Sequence, residues 1–581
     1  MEEQRLDKRW VWTIVAACAL ALLWRPFILG FYYDDWFHLI VPDLTSAPFS
    51  KERWDQLEVT QNRPVFRFLA VALHSILPTN AIVWQTWNAV LSLATAGTMG
   101  MAFYALLSRV FGDGISKRAA IVGALFWLVF PWGVPNAFWP TGSTAYFALM
   151  AMCLSIWLTV KHWDDNSISP KLWVFGLSLA GYLCYEGIYF QLVMVLAFAG
   201  LVYGWRSRNT IMWSISILAA QLLPLVINRY MSAVGAEGSR RFNANFLETF
   251  FYWFGLGERK FGVVWLSWYA AVGIVAFIVL MVLLFVARKY EGPSPAFKIS
   301  LLAVWSLLLT SVAAVTVTLP MAFLETVGLF LPLLLVLFWF SYKAWSLLNS
   351  TQKTAVLWVL WLALSGVCLG ALAFAAGNFV MWSTGMGGRV TVVLNVWLAL
   401  VAALTTALLM QRQYDQNQYH QKWVTVLGLG VWLTLLGGTL FRAGEWHNSW
   451  AMQEDILAHT PTIEYAQLDD KAAFLYSGPE QSGWVPVIET NWHMGAFATA
   501  AFWEQADTDD KKQQARLWTH RWMISRAERY RITWDGQVLK RFKCRNLDGP
   551  PHDFIEASEL WLWDGWKHTF EKANQVLVVG C

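Results

Sequence analysis

Two adjacent aspartates, Asp34 and Asp35, follow directly on the first apolar segment of the chain, within the octapeptide FYYDDWFH at 31–38. Carboxylates at the mouth of a hydrophobic helix are costly next to lipid, so they normally face protein or water and carry a function. One carboxylate can act as a general base on an acceptor hydroxyl, while the other orients it or binds a divalent cation. The alternative is that both aspartates cap the next helix in headgroup water.

The composition defines the setting of this pair. The chain has 581 residues, of which 57% are hydrophobic and 14% charged, whereas a soluble protein has about 25% charged residues. Long apolar stretches recur from Trp10 to about Leu440 and then stop. This pattern predicts a polytopic α-helical membrane protein with a water-soluble tail. The net charge of +4 is spread over membrane-flanking loops, so no nucleic-acid surface is predicted.

About 13 apolar segments are long enough to cross a membrane, at roughly 20 residues each. They lie near 10–30, 81–107, 119–138, 143–160, 172–190, 188–204, 211–228, 263–287, 299–319, 324–341, 355–376, 390–410 and 423–441. The fifth and sixth meet at a sharp return near Glu186–Tyr189. The first has no clear cleavage site after it, so we interpret it as a retained anchor. The apolar run Val65–Leu77 is short and contains Arg67 and His74, which favours an interfacial or half-inserted helix.

The distribution of Lys and Arg predicts the orientation. With the N-terminus inside, every cytoplasmic link carries at least two positive charges, whereas the short external links carry only Arg389 between them. The loop 31–65, the loop 229–262 and the C-terminal tail are then external. We therefore divide the chain into a membrane domain, 1–441, and an extracytoplasmic domain, 442–581.

The tail alternates strand-like runs with turn residues and is long enough to form a small α+β domain. The strand-like runs are Ala473–Tyr476, Trp484–Ile488, Gln537–Phe542 and Gln575–Val579, and one charged stretch, Asp507–Tyr530, is predicted to be helical. No part of it matches a catalytic signature. Cys544 and Cys581 can pair if the tail lies outside the cytoplasm.

Further polar residues are predicted at the external ends of spans. Glu186 lies at the outer end of an otherwise uncharged hairpin, where it could also be a hydrogen-bonded helix-end residue. Arg240 and Arg241 lie in the loop 229–262, and Arg389 opens a late span. Arginine suits bidentate binding of phosphate, and a membrane-surface anchor is the competing role for each. The aromatic link 131–142 is too polar in its backbone to face lipid, so it lines a cavity or forms an interfacial belt.

The order of these motifs resembles the GT-C superfamily of membrane glycosyltransferases, most of all bacterial relatives of the dolichol-phosphate-mannose-dependent protein O-mannosyltransferases. The motifs are YDD at 33–35, NRP at 62–64, PWGVP at 131–135, YEG at 185–187 and GGR at 387–389. The resemblance covers roughly residues 10–205, with a weaker echo at about 385–400. Tyr185 departs from the pattern, because relatives often have Lys-Glu where this chain has Tyr185-Glu186.

The resemblance implies an enzyme that moves a sugar from a polyprenyl-phosphate donor in the bilayer to a glycan, lipid or protein acceptor. Asp34 and Asp35 would take the role of the essential acidic residue of the first external loop, with or without a divalent cation. Arg63, Glu186, Arg240, Arg241 and Arg389 would contact the donor and its phosphate. The implied location is the outer face of the plasma membrane.

Two other classes of function remain open at this stage. A secondary transporter also buries carboxylates and arginines, but it more often has Gly/Pro-broken segments in corresponding positions of two halves, and the sequence has no such pairing. A non-catalytic scaffold for cell-envelope glycan assembly would keep the fold without the activity. The large charged first loop and the folded outer tail favour the enzyme.

Overall fold

The computed structural model describes most of the two ends of the chain and little of its middle. The described residues are 8–32, 35–57, 63–130, 134–188, 191–196, 208–233, 345, 348–376, 391–415, 419–460, 468, 471–482, 485–488, 490–525, 530–544, 550–573 and 577–579. The predicted spans at 263–287, 299–319 and 324–341 lie outside these ranges. The same is true of Asp34, Arg240, Arg241 and Arg389.

The described part of the chain from Lys8 to Ala458 is helical. Its helices are α1 Lys8–Leu22, α2 Arg25–Ile28, α3 Val41–Thr45, α4 Lys51–Gln56, α5 Pro64–Ile76, α6 Ala81–Leu107, α7 Asp113–Leu128, α8 Val134–Phe138, α9 Thr144–Lys161, α10 Ser169–Cys184, α11 Arg208–Ala233, α12 Ser350–Ala376, α13 Val392–Asp415 and α14 Tyr419–Ala458. Short turns of other helical types occupy Trp36–Ile40, Thr141–Ser143 and Glu186–Ile188.

Six helical segments among the described residues are long and apolar enough to cross a membrane. They are Trp10–Ile28, Ala81–Leu107, Thr144–Lys161, Asn209–Val226, Ser350–Gly370 and Val392–Gln411. The prediction of a polytopic helical membrane protein is confirmed, and the count of 13 spans is not. The predicted spans 119–138 and 172–190 only partly overlap the 16-residue helices α7 and α10, which fall short of the usual length. The short apolar segment after residue 63 is the 13-residue helix α5.

Small residues let the helices of the bundle approach closely. Helix α7 packs against α6 and α13, and α9 packs against α6 and α10. A Cβ added to Gly123 of α7 would lie 2.7 Å from the Cβ of Ala403 in α13, and one added to Gly181 of α10 would lie 3.2 Å from that of Ala151 in α9. Close backbone approach at glycine and alanine is the usual way in which helices associate in lipid.

The loop after the first span, predicted to be external, is held together by a buried arginine. The Arg53 side chain is 1% exposed and donates to the carbonyl oxygens of Pro42, Ser46 and His74. It also forms an ion pair with Asp43 at 3.0 Å. These bonds fix α3, α4 and the end of α5 relative to one another. Part of the charge in this loop is therefore structural.

The tail contains two four-stranded sheets. One has the order β4-β1-β8-β9, in which β1 is parallel to both neighbours, and the other is the antiparallel sheet β10-β5-β6-β7. The strands are β1 Ala472–Ser477, β2 Gln481–Ser482, β3 Val485–Pro486, β4 Trp522–Ile524, β5 Tyr530–Trp534, β6 Val538–Lys543, β7 Asp553–Glu556, β8 Glu559–Asp564, β9 Thr569–Lys572 and β10 Leu577–Val579. With helices α15 Asn491–Trp503 and α16 Asp509–Leu517, they confirm the predicted α+β tail.

Two details of the tail differ from the prediction. The charged stretch Asp507–Tyr530 is not one helix, because α16 ends at Leu517 and the chain continues into β4. Trp518 and Trp522 become core residues of the tail there, each at most 2% exposed, and burying both favours leaving the helix. The predicted boundary at 441/442 falls inside the 40-residue helix α14, which enters the tail without a break.

Candidate functional site

The described member of the aspartate pair is a buried acceptor of hydrogen bonds. Asp35 is 0% exposed. Its Oδ2 accepts from the backbone N–H of Tyr32 at 2.8 Å, and its Oδ1 accepts from both the backbone N–H and the Oγ1 hydroxyl of Thr141, at 2.8 and 2.5 Å. A buried carboxylate is costly unless it is satisfied in this way. Asp35 thus joins the start of the first outer loop to the aromatic link.

The backbone on the N-terminal side of the pair is packed against α14. An added Cβ on Gly30 would fall 1.8 Å from the Trp450 ring, so a glycine is required for the chain to pass this tryptophan. The buried Tyr32 meets Trp446 edge to face, with ring centroids 4.6 Å apart. Its hydroxyl accepts from the Gly30 N–H at 3.1 Å. The approach to Asp34 and Asp35 is therefore a fitted segment rather than a loose loop.

A glutamine of α6 fixes the spacing between the loop and the aromatic link. The Gln85 amide donates to the carbonyl oxygens of Gly30 and Phe138, both at 2.7 Å. Phe138 and Trp139 are at most 2% exposed. The described part of the link is thus packed inside the protein, and it does not form an exposed interfacial belt.

The tail covers the other side of the loop. The indole Nε1 of Trp36 donates to Gln453 Oε1 of α14 at 2.6 Å, and the Trp36 ring meets Phe497 of α15 edge to face at 4.8 Å. Near the loop's surface, Glu52 forms an ion pair with Arg516 of α16 at 2.9 Å. Asp35 therefore lies in a loop segment that is packed between the helical bundle and the tail.

Two of the other predicted site positions are brought to one place. The guanidinium carbon of Arg63 lies 5.8 Å from the centroid of the Tyr185 ring. Tyr185 immediately precedes Glu186, whose backbone lies in the turn Glu186–Ile188 between α10 and the helical residues 191–196. This turn coincides with the predicted sharp return. The side chain of Glu186 lies outside the described atoms.

The partners of Asp35 bear on whether it can hold a cation. Three N–H and O–H donors point at its two oxygens, and a carboxylate offers about four lone-pair positions. This donor set suits an anion that is stabilised in place, and it leaves little capacity for a cation or a proton. If a divalent cation binds at the pair, its ligands must come chiefly from Asp34.

The sequence also marks this region inside a membrane span, which inspection of external-end residues alone does not reveal. Helix α6 is apolar except for a row of polar residues, of which Gln85, Asn88, Ser92 and Thr95 are each at most 1% exposed. Spacings of three and four place them on one face of the helix. Ser92 accepts from Arg25 at 3.3 Å, and Arg25 is itself buried at 1% exposure. A polar face on a span predicts buried polar partners.

The fold and the site define a polytopic α-helical membrane protein in which the loop after the first span is packed under a C-terminal α+β domain. No family model and no curated protein sequence matches this chain. Among solved structures, the crystal structure of ArnT from Cupriavidus metallidurans bound to undecaprenyl phosphate is similar over 90% of this chain and 87% of that chain. The identity is 12% and the TM-score 0.31.

Proposed function

We propose that the protein is a membrane glycosyltransferase that moves a hexosyl group from a polyprenyl-phosphate donor to an acceptor hydroxyl on the outer face of the plasma membrane. The observation that carries the proposal is the state of Asp35. Its two oxygens accept three hydrogen bonds inside the protein, so the residue that directly follows Asp34 in the sequence is held within the first outer loop. The sequence resemblance to GT-C enzymes supports the same reading.

In this proposal the two aspartates have different roles. Asp34 is the general base, and Asp35 is a positioning residue that acts through it. A base must be able to receive a proton, and Asp35 is engaged by donors on both oxygens. Its ionised form is the one that these donors stabilise. The sequence alone left the choice between the two aspartates open.

The proposed reaction is a single displacement with inversion. The Asp34 carboxylate takes the proton of the acceptor hydroxyl, and the acceptor oxygen forms a bond to the anomeric carbon of the sugar. The bond from that carbon to the phosphate oxygen breaks, and polyprenyl phosphate leaves with the electron pair. Arginines at the membrane surface would stabilise the negative charge that develops on the phosphate. Arg63 is the described candidate, and Arg240, Arg241 and Arg389 are candidates from the sequence.

The environment of Arg63 fits a donor-binding role. Its guanidinium lies over the ring of Tyr185. Tyr185 stands where relatives of the proposed family often have a lysine before the glutamate. An arginine that packs on an aromatic ring keeps its planar fork oriented for bidentate contact with phosphate. We propose that Arg63 supplies the positive charge that Tyr185 does not, with Glu186 beside it.

The proposed orientation places the N-terminus in the cytoplasm and the domain 442–581 outside. The bias of positive charges supports it. A second support is chemical, since Cys544 is disulfide-bonded whereas Cys18, Cys153, Cys184 and Cys368 are thiols. Disulfides persist in oxidising compartments and are rare in the cytosol. Cys581, the remaining cysteine of the sequence, lies outside the described residues.

The test is turnover of polyprenyl-phosphate sugars in liposomes by the wild type and by the variants Asp34→Asn, Asp35→Asn and Asp55→Asn. Asp34→Asn should abolish sugar transfer with normal folding. Asp55→Asn is the matched control, because Asp55 is a carboxylate of the same loop whose side chain is 59% exposed. Its Oδ1 lies 4.0 Å from Arg67 Nη2, at the outer limit of an ion pair. This variant should keep wild-type turnover. Equal turnover in Asp34→Asn and the wild type would refute the mechanism. Uptake of a labelled solute that survives both Asp34→Asn and Asp35→Asn would identify a transporter instead.

A further inference from the structure

Three side chains with metal-ligating atoms meet where the long helix α14 ends. They are Asp455 and His459 of α14 and His568 of the turn between β8 and β9, and their ligand atoms all lie within 4.8 Å of one another. The distance from Asp455 Oδ2 to His568 Nε2 is 3.5 Å, and that from Asp455 Oδ1 to His459 Nδ1 is 3.3 Å. This cluster has no part in the proposed transfer reaction.

The two elements present these side chains for separate local reasons. Asp455 and His459 are four residues apart, so they share one face of α14. His568 lies at the tip of a hairpin whose turn is capped by Asp564, which accepts from the N–H groups of Trp566 and Lys567 at 2.9 and 3.1 Å. The backbone of His568 has φ 54°, a left-handed conformation that is uncommon for residues other than glycine.

The two imidazole rings are stacked, with centroids 4.1 Å apart and an angle of 24° between planes. Two imidazoles and one carboxylate are thereby brought to one place, and neutral imidazole is the form that binds metals.

The separation between the ligand atoms of Asp455 and His568 also fits metal coordination. Metal–ligand bonds of about 2.0–2.2 Å in a tetrahedral site place neighbouring ligand atoms about 3.4 Å apart. The 3.5 Å separation of Asp455 Oδ2 and His568 Nε2 is close to that edge. His459 Nδ1 lies 2.9 Å from the carbonyl oxygen of Asp455, a contact in which Nδ1 must donate, and this leaves Nε2 with the free lone pair. Such a bond to a carbonyl commonly orients a histidine ligand.

We propose that Asp455, His459 and His568 bind one divalent transition-metal ion of the Zn²⁺ class, with solvent completing the coordination. Two histidines and one carboxylate suit Zn²⁺ and its neighbours rather than Mg²⁺ or Ca²⁺. The ion clamps the β8–β9 hairpin of the tail to α14, the helix that carries Gln453 and Trp450 over the first outer loop. We assign it a structural role because it would join two elements of the tail and takes no part in the proposed transfer. The three ligands lie at the surface of the tail, with exposed fractions of 57%, 51% and 31%.

The test is metal binding by the full chain in detergent, purified with a tag that contains no histidine and stripped with a chelator. Zn²⁺ affinity is measured by competition with a chromophoric chelator, and Co²⁺ is added to report coordination number through its visible spectrum. The variants are Asp455→Asn, His459→Gln and His568→Asn. His162→Gln is the matched control, since His162 lies 3.6 Å from Asp165 in a partly exposed pair that has no third ligand among the described residues.

The wild type should bind one equivalent of Zn²⁺, with a tetrahedral Co²⁺ spectrum and a higher thermal midpoint when Zn²⁺ is present. Each ligand variant should lose affinity by more than about 10-fold, since loss of even an outer partner of a ligand costs about 10–100-fold, and the His162 variant should not. His568→Asn keeps a residue that tolerates the left-handed backbone, and the other two variants guard against its misfolding. Absence of stoichiometric binding, or affinity unchanged in all three variants, would overturn the proposal.

Discussion

Substitutions of Asp35 and of its partner Thr141 test whether Asp35 positions the loop or performs the chemistry. Asp35→Asn turns one acceptor oxygen into a donor. The amide can keep its oxygen toward Thr141 and so retain two bonds, but its NH₂ group then faces the N–H of Tyr32. A buried donor without a partner costs about 1–3 kcal/mol, and two bonds that lose their charge assistance lose about 1 kcal/mol each. The free energy of unfolding should therefore fall by about 3–5 kcal/mol.

Thr141 offers a matched pair of smaller changes at the same site. Thr141→Val removes only the hydroxyl that donates to Asp35 at 2.5 Å, which should cost about 1.5–3 kcal/mol because the acceptor is charged. Thr141→Ser keeps that hydroxyl and should stay near the wild type. The backbone N–H of residue 141 still donates in both variants. The predicted order of stability is wild type and Thr141→Ser, then Thr141→Val, then Asp35→Asn.

The assay is the fraction of folded protein that survives heating in detergent, followed by size-exclusion chromatography, with sugar transfer measured on the same samples. Thr141→Val should lower both stability and turnover, whereas Asp34→Asn should lower turnover alone. If Asp35→Asn were as stable as the wild type and as inactive as Asp34→Asn, Asp35 would be the base and the assignment of roles made here would be wrong.

Three further predictions concern the approach to the site and the tail. Gly30→Ala should destabilise the protein and abolish transfer, because its Cβ would lie 1.8 Å from the Trp450 ring, whereas Gly97→Ala, with nothing within 4 Å, should be neutral in the same assays. Burial lowers the pKa of His493 from 6.5 to about 3. The unfolded chain therefore binds a proton that the folded chain rejects, and the stability present above pH 6.5 is lost as the pH falls toward 3. Between pH 6.5 and 5 the loss should be about 1.5 kcal/mol, and His493→Gln should remove it from the pH profile of thermal unfolding. Cys544→Ser should lower the unfolding midpoint by the equivalent of about 2–4 kcal/mol, and a reducing agent should have this effect on the wild type but not on the variant.

The sequence was sufficient to predict the class of protein and the elements near the site, because these depend on local composition. Apolar segments of about 20 residues and a polar tail with turn residues are features of the chain itself. The runs predicted as strands at Ala473–Tyr476 and Gln537–Phe542 correspond to β1 and β6. The short helix after residue 63 was also recognised, from a 13-residue apolar run with Pro64 at its start.

The parts that the sequence did not predict depend on contacts between distant residues. Thr141 lies 106 positions from Asp35, and a threonine at the end of an aromatic link has no local feature that marks it as a carboxylate partner. The early end of α16 has the same origin. Its sequence continues in a helix-compatible way, but the tail gains more by burying Trp518 and Trp522 next to Phe474 of β1. Tertiary packing overrides local propensity at this point.

The packing of the first outer loop argues against treating 1–441 and 442–581 as independent units. Phe31, Trp36, Leu39 and Ile40 of the loop belong to the same hydrophobic cluster as Phe474, Phe497 and Trp522 of the tail. Phe31 and Trp36 lie on either side of the aspartate motif and are each at most 5% exposed. A chain that ended at 441 would expose both rings. Removing the partner of a buried tryptophan costs several kcal/mol. The tail is therefore part of the structure that holds Asp35 in place, and a role in recognising the acceptor would come in addition to that.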